Sequence, residues 1–180
     1  VKRAWQEYVR AEDHPEGTCF IDGRVHPLQK QYSQFKFGTG ASLVSFNCKA
    51  FESYGKERGE NAPISVEAEF RSAAALKALL SDKKHQLFIA DTTTVFWTER
   101  DSPVEALFGA IMDPTKVDEE DSQKVQSFLE SVRQGKCPEN IDWEMRFYIL
   151  GFSVNKARLA VRFWYDCTVE KLLSNLKKHY

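Results

Sequence analysis

Two apolar, aromatic and β-branched runs near the end of the chain constrain its fold more than any other feature. Residues 145–153 read Met-Arg-Phe-Tyr-Ile-Leu-Gly-Phe-Ser, and residues 157–165 read Ala-Arg-Leu-Ala-Val-Arg-Phe-Trp-Tyr. Only Val154-Asn155-Lys156 lies between them. Strands joined by so short a link return antiparallel, because a parallel return needs a crossover of about a dozen residues or more. Any fold of this chain must therefore accommodate a long hairpin in its last third.

The remaining patterns supply partners for it. Residues 86–90 and 93–98 flank Asp91-Thr92 and predict a second hairpin. Residues 18–21, closed by Asp22-Gly23, predict a strand and turn, and 43–46 a short buried strand. Residues 24–42 contain Pro27, Gly38 and Gly40 and read as one long loop. A helix is predicted from Ser65 as N-cap, with an apolar stripe of Val66, Phe70, Ala73, Leu76 and Leu80. Ser102-Pro103-Val104-Glu105 has the form of a capping box opening a helix to about Met112. Further helices are predicted over 4–11, over 118–134 with Gly135 as its stop, and from Thr168 onward. The expected class is α+β: an antiparallel or mixed sheet built largely of hairpins and covered by helices.

At 180 residues the chain fits a single domain over 1–180. Its longest apolar run, residues 106–112, is far below the roughly twenty residues of a membrane span. Lys2 and Arg3 have no apolar segment behind them, and no methionine opens the chain. The expectation is a fragment of a longer chain, without a secretory signal. Cys19, Cys48, Cys137 and Cys167 have no metal-site spacing, among themselves or with the four histidines. They are expected to be buried reduced thiols in a cytoplasmic protein, with no cofactor.

The net charge of −1 conceals a segregation. Residues 24–58 carry six basic and two acidic side chains, 91–144 five and thirteen, and 145–180 seven and two. A neutral chain arranged in this way can present a basic face. Alternation along 158–164 places Arg158, Arg162 and Trp164 on one side of their strand. Guanidiniums beside an indole can pair phosphates and stack a base, or they can be a solvated face paired with acids. The loop from Lys30 to Asn47, with Phe37-Gly38-Thr39-Gly40-Ala41-Ser42, is a second candidate for a phosphate contact. It lacks the Gly-Lys-Ser/Thr ending of a phosphate-binding loop.

Catalytic patterns are weak. Asp91 and Glu99 share parity but lack a third ligand at a convincing spacing. Asp118-Glu119-Glu120-Asp121 suits a helix start. No Gly-x-Ser-x-Gly elbow is present, and His26 with Cys19 is the one conceivable thiol dyad. No enzymatic activity is expected.

Several strings carry a resemblance. They are Gly40-Ala41-Ser42-Leu43-Val44-Ser45-Phe46-Asn47, Ala50-Phe51-Glu52-Ser53-Tyr54-Gly55-Lys56-Glu57 and Asn61-Ala62-Pro63-Ile64-Ser65. Asp91-Thr92-Thr93 followed by Val95-Phe96-Trp97 and the late hairpin add to them, as does His26-Pro27. Together, in this order, they resemble the large subunit of the subtype I-C CRISPR surveillance complex (Cascade). The family's glycine before Asp91 is Ala90 here, its proline before Asn155 is Val154, and its lysine-glycine string after Pro27 is Leu28-Gln29-Lys30-Gln31.

The resemblance implies a central piece of a longer, non-catalytic subunit. Its implied partners are the subunits of the guide (CRISPR) RNA complex, target double-stranded DNA and a helicase-nuclease effector, with no membrane. In such systems protein reads a short motif and the guide pairs with the rest. The candidate nucleic-acid contacts are then Lys30, Lys36, Asn47, Lys56, Arg58, Arg158, Arg162 and Trp164. A protein-interaction module without nucleic-acid contact is the alternative.

Overall fold

The computed structural model describes residues 14–37, 40–46, 48–114, 123, 125–128, 130 and 141–179. The chain divides into two compact units. The first comprises Val1–Lys77 and Val154–Ala160, the second Ala78–Ser153 and Val161–Tyr180. The helix expected over 4–11 lies outside the described residues. Of the one expected over 118–134, residues 123, 125–128 and 130 are described and are helical.

In the first unit β1 (Glu16–Thr18) pairs antiparallel with β2 (Val25–Pro27). The turn between them is closed by the Cys19 amide on the Arg24 carbonyl at 2.9 Å. β3 (Gln34–Phe35) pairs antiparallel with β4 (Ala41–Ser42), and Ser42 registers in parallel with Arg158. The supposed loop over 24–42 thus contains three short strands. The strand expected over 43–46 does not form. Residues 43 and 44 bend, 45 and 46 have no regular structure, and Leu43 is exposed. A strand of two or three residues gives no alternation to detect.

Helix α1 (Val66–Ser81) is capped as its sequence predicts, with the Ala68 amide donating to Ser65 Oγ at 3.2 Å. Its buried face differs from the expected stripe. Val66, Glu69, Ala73 and Leu76 are buried, whereas Phe70 is half exposed. The cause is the Glu69 carboxylate, which accepts the Ser33 amide at 2.7 Å and so has a partner inside.

The strands of the second unit run in the order β5-β6-β7-β8, with β5 (Gln86–Ile89), β6 (Thr92–Thr98), β7 (Arg146–Asn155) and β8 (Arg158–Thr168), of which Val154, Asn155 and Arg158–Ala160 belong to the first unit. β6 pairs antiparallel with both β5 and β7. Helices α2 (Pro103–Met112) and α3 (Val169–His179) complete it. The antiparallel hairpins, the parallel β4–β8 register and the helices make the fold α+β with a mixed sheet.

The core of this unit is aromatic. The Phe108 ring meets Phe96 edge-on at 4.9 Å and Phe147 at 5.1 Å. Leu87, Val104, Met145, Val169, Leu172 and Leu173 belong to the same buried cluster. Gly151 on β7 lets the Phe163 ring lie over the strand, where a Cβ would be 2.3 Å from it. Ser102 caps α2 through the Val104 amide, but the reciprocal half of the expected capping box is absent. The Glu105 carboxylate instead accepts the Thr98 amide at 2.6 Å and the Thr98 hydroxyl. No helix among the described residues is long and apolar enough to cross a membrane.

The β5–β6 and β7–β8 turns each hold two residues, Ala90-Asp91 and Lys156-Ala157, displaced from the expected 91–92 and 154–156. Ala90 and Lys156 lie at φ 55° and 56°, where a side chain costs about 1 kcal/mol or more relative to glycine. Ala90→Gly is expected to raise the unfolding free energy by about 1 kcal/mol in a urea titration. An unchanged or lowered midpoint would remove the strain argument.

Candidate nucleic-acid interface

The first unit carries an open groove of about 570 Å³. Its lining includes Lys30, Tyr32, Gln34, Ser45, Lys49 and Arg58. One wall is the chain after β2, another the loop from Lys49 to Gly59, and Ser42, Val44, Ser45 and Phe46 line it between them in sequence. The walls are joined through backbone. The Gly59 amide donates to the Lys30 carbonyl at 3.2 Å. A Cβ on Gly59 would lie 2.1 Å from the Gln29 carbonyl oxygen. Only glycine allows this approach, so Gly59 sets the spacing that brings Lys30 and Arg58 to one groove.

Asn61 orders the loop. Its side-chain carbonyl accepts the Ser53 amide at 3.0 Å, and its amide nitrogen donates to the carbonyls of Lys56 at 3.0 Å and Arg58 at 3.1 Å. Glu57 and Glu60 form a reciprocal capping box around the 3-10 turn Arg58–Asn61. Tyr54 stands at the loop tip, 99% exposed and at φ 55°.

Electrostatics favour an anion here. Lys30, Lys49 and Arg58 line the groove with two acids, Glu52 and Glu57. Both carboxylates accept backbone amides, Glu52 that of Arg58 and Glu57 that within the capping box. Polar neighbours such as Gln31, Gln34, Ser42 and Ser45 add hydrogen-bonding groups. Three cations in a polar groove suit a phosphate chain.

Of the residues expected to contact nucleic acid, Lys30 and Arg58 therefore meet at this groove. Lys56 is exposed in the same loop, and Lys36 is exposed just after β3. Asn47 lies outside the described residues. Arg158 opens β8 with its guanidinium 4.1 Å from the centre of the Phe51 ring, a cation–π contact.

The shared face expected for Arg158, Arg162 and Trp164 resolves into separate engagements. Arg162 Nε donates to Ser153 Oγ at 2.6 Å, and a second guanidinium nitrogen is 3.8 Å from the Asp91 carboxylate. Trp164 meets the rings of Tyr148 and Trp97. Lys49, Tyr32, Gly59 and Asn61 were not singled out from the sequence. The local cue for Gly59 and Asn61 was the dense run of charged and turn residues over 52–61.

The other chemical candidates have structural partners. Asp91 accepts the Thr92 hydroxyl at 3.2 Å, as a turn residue does. Among the described residues, no three His, Cys, Asp or Glu side chains converge as a metal site would require. His26 Nε2 pairs with Asp22 at 2.8 Å. Burial opposes ionisation of Cys19, yet the amides of Ser65 and Ile21 aimed at Sγ hold its thiol below the usual range. Cys19 and Cys167 are buried, but Cys48 is exposed and lines the groove, contrary to expectation. Cys137 lies outside the described residues.

Burial, reinforced by the negative charge of Glu69, pushes the Tyr32 phenol up to about 12. Its hydroxyl donates to the Ala62 carbonyl. The neutral phenol is favoured in the fold, so its contribution is complete below pH 10 and is lost as pH rises toward 12. Tyr32→Phe is expected to flatten the decline of unfolding free energy between those pH values. A decline equal to that of the parent protein would count against the shift. Gly59→Ala is expected to cost about 2 kcal/mol or more in chemical denaturation, because the clash is with backbone. Wild-type stability in that variant would show that the two walls are not held as described.

The family model described as CRISPR-associated protein (Cas_Csd1) matches residues 1–180. No curated protein matches the chain.

Proposed function

Because the chain belongs to the CRISPR-associated protein (Cas_Csd1) family, we propose that it is a non-catalytic piece of the large subunit of a type I-C RNA-guided surveillance complex. In this reading it helps assemble the ribonucleoprotein in the cytoplasm and contacts target duplex DNA beside the guide-paired segment. The observation that supports it best is the polar groove of the first unit, where Lys30, Lys49 and Arg58 converge. A cationic groove with few apolar walls suits a sugar-phosphate backbone better than a small apolar substrate. Protein contacts of this kind position the duplex, and base pairing with the guide reads most of the sequence. The segment after β6, residues 99–144, carries more acidic than basic side chains, and we assign it to contacts with the other subunits and the helicase-nuclease.

A second reading, a scaffold that binds only protein, has one observation in its favour. Phe20, Ile21 and Val25 are 66–71% exposed around the β1–β2 turn. Apolar side chains clustered in this way mark protein contacts.

Fluorescence anisotropy of the assembled complex with labelled duplex, across a salt series, separates the two. The double variant Lys30→Ala, Arg58→Ala is expected to weaken binding and to lower the slope of log affinity against log salt by about two. Duplex affinity that is unchanged in the double variant, with assembly intact after nuclease treatment, would favour the scaffold.

A further inference from the structure

The second unit carries an aromatic cluster that its core does not use. Trp97 on β6 and Tyr148 on β7 are direct cross-strand partners, and Trp164 on β8 joins them. The ring centres are 5.4 Å apart for Trp97–Tyr148, 5.8 Å for Tyr148–Trp164 and 5.6 Å for Trp97–Trp164. Tyr148 lies within 27° of parallel to both indoles. The three rings make a compact triangle separate from the buried cluster around Phe96 and Phe147. Trp164 is 52% exposed, and Trp97 and Tyr148 are partly covered.

The rim of the triangle is ordered. Arg146, two residues before Tyr148 and so on the same face of β7, forms an ion pair with Asp166. The Arg146 side chain keeps 46% of its exposure. A held, half-exposed cation thus stands at the edge of an exposed aromatic surface. This combination suits a base stacked on the rings with its phosphate toward the guanidinium. A cross-strand ladder that served stability alone would not need so much indole in water.

We propose that Trp97, Tyr148 and Trp164 form a stacking platform for an unpaired base of single-stranded DNA. The identity of the strand rests on the function proposed above. Opening a target duplex against a guide releases one DNA strand without a partner, and a platform of rings accepts any base because each has a π-face. Asp166 offsets most of the Arg146 charge, so stacking supplies the attraction and salt weakens it little. This behaviour is opposite to that expected of the groove in the first unit.

The test uses the assembled complex, with oligothymidylate, oligouridylate, a DNA duplex and a proline-rich peptide as probes. Tryptophan quenching and anisotropy are read for the parent protein, Trp164→Leu and Trp164→Phe. Trp164→Leu is expected to weaken oligothymidylate binding on the order of tenfold and leave duplex binding unchanged, while Trp164→Phe keeps most of the affinity. Thermal melts of both variants separate lost stacking from lost folding, and the phenylalanine variant reads the proposal if the leucine variant fails to fold. Lys30→Ala, Arg58→Ala is expected to give the reverse pattern, so each site can fail alone. Oligothymidylate affinity that is equal in all three proteins overturns the platform. Preference for the RNA strand or for the proline-rich peptide also overturns it.

Discussion

Phe96 and Phe147 are fully buried on neighbouring strands, and Phe108 from α2 closes edge-on over both. Each buried phenylalanine contributes roughly 2 to 3 kcal/mol from burial alone, and the edge-to-face contacts add somewhat less. Much of the second unit follows from that contact. It holds β6 beside β7, and Gly109 on α2 packs close by, where a Cβ would touch the Phe96 ring at 3.4 Å. It also leaves the opposite sides of Trp97 and Tyr148 to meet Trp164. The aromatic residues thus serve two ends, with Phe96, Phe108 and Phe147 inside and Trp97, Tyr148 and Trp164 partly in water.

The first unit is held by another kind of physics. Its strands have two or three residues, and its loops are fastened by backbone and side-chain hydrogen bonds. The Gly59–Lys30 bond, the Asn61 bonds and the Glu57–Glu60 box shape the groove. Such a surface keeps its cations in water, where they act on a ligand with little desolvation cost. A polyanion is the ligand class for which that arrangement is most useful, and membership of a CRISPR-associated family agrees with it.

Much of the second unit was legible in the sequence, because β6, β7, β8 and the two helices are long enough to show a period or a cap. Ser102 and Thr168 mark real helix starts, and the expected turn at Asp91-Thr92 lies one residue from the real one at Ala90-Asp91. The first unit was not legible in the same way. β2, β3 and β4 are too short for alternation, and Glu69 took an inward place that hydrophobicity assigned to Phe70. The candidate site divides likewise. Lys30 and Arg58 came from charge content, while Gly59, Asn61 and Lys49 came only from the contacts.

By itself, the sequence determined the α+β class, the two long hairpins, the segregation of charge and, through ordered strings of residues, membership of a CRISPR-associated family. These are properties of local pattern, and short-range sterics and burial periodicity fix them within a few residues. Tertiary structure alone decided which charges meet. Lys30 and Arg58 are far apart along the chain, and a backbone contact possible only at a glycine brings them to one groove. It also decided that Arg162 is engaged while Trp164 joins two other rings, because the neighbours on adjacent strands, and not the alternation within one strand, set what each side chain touches.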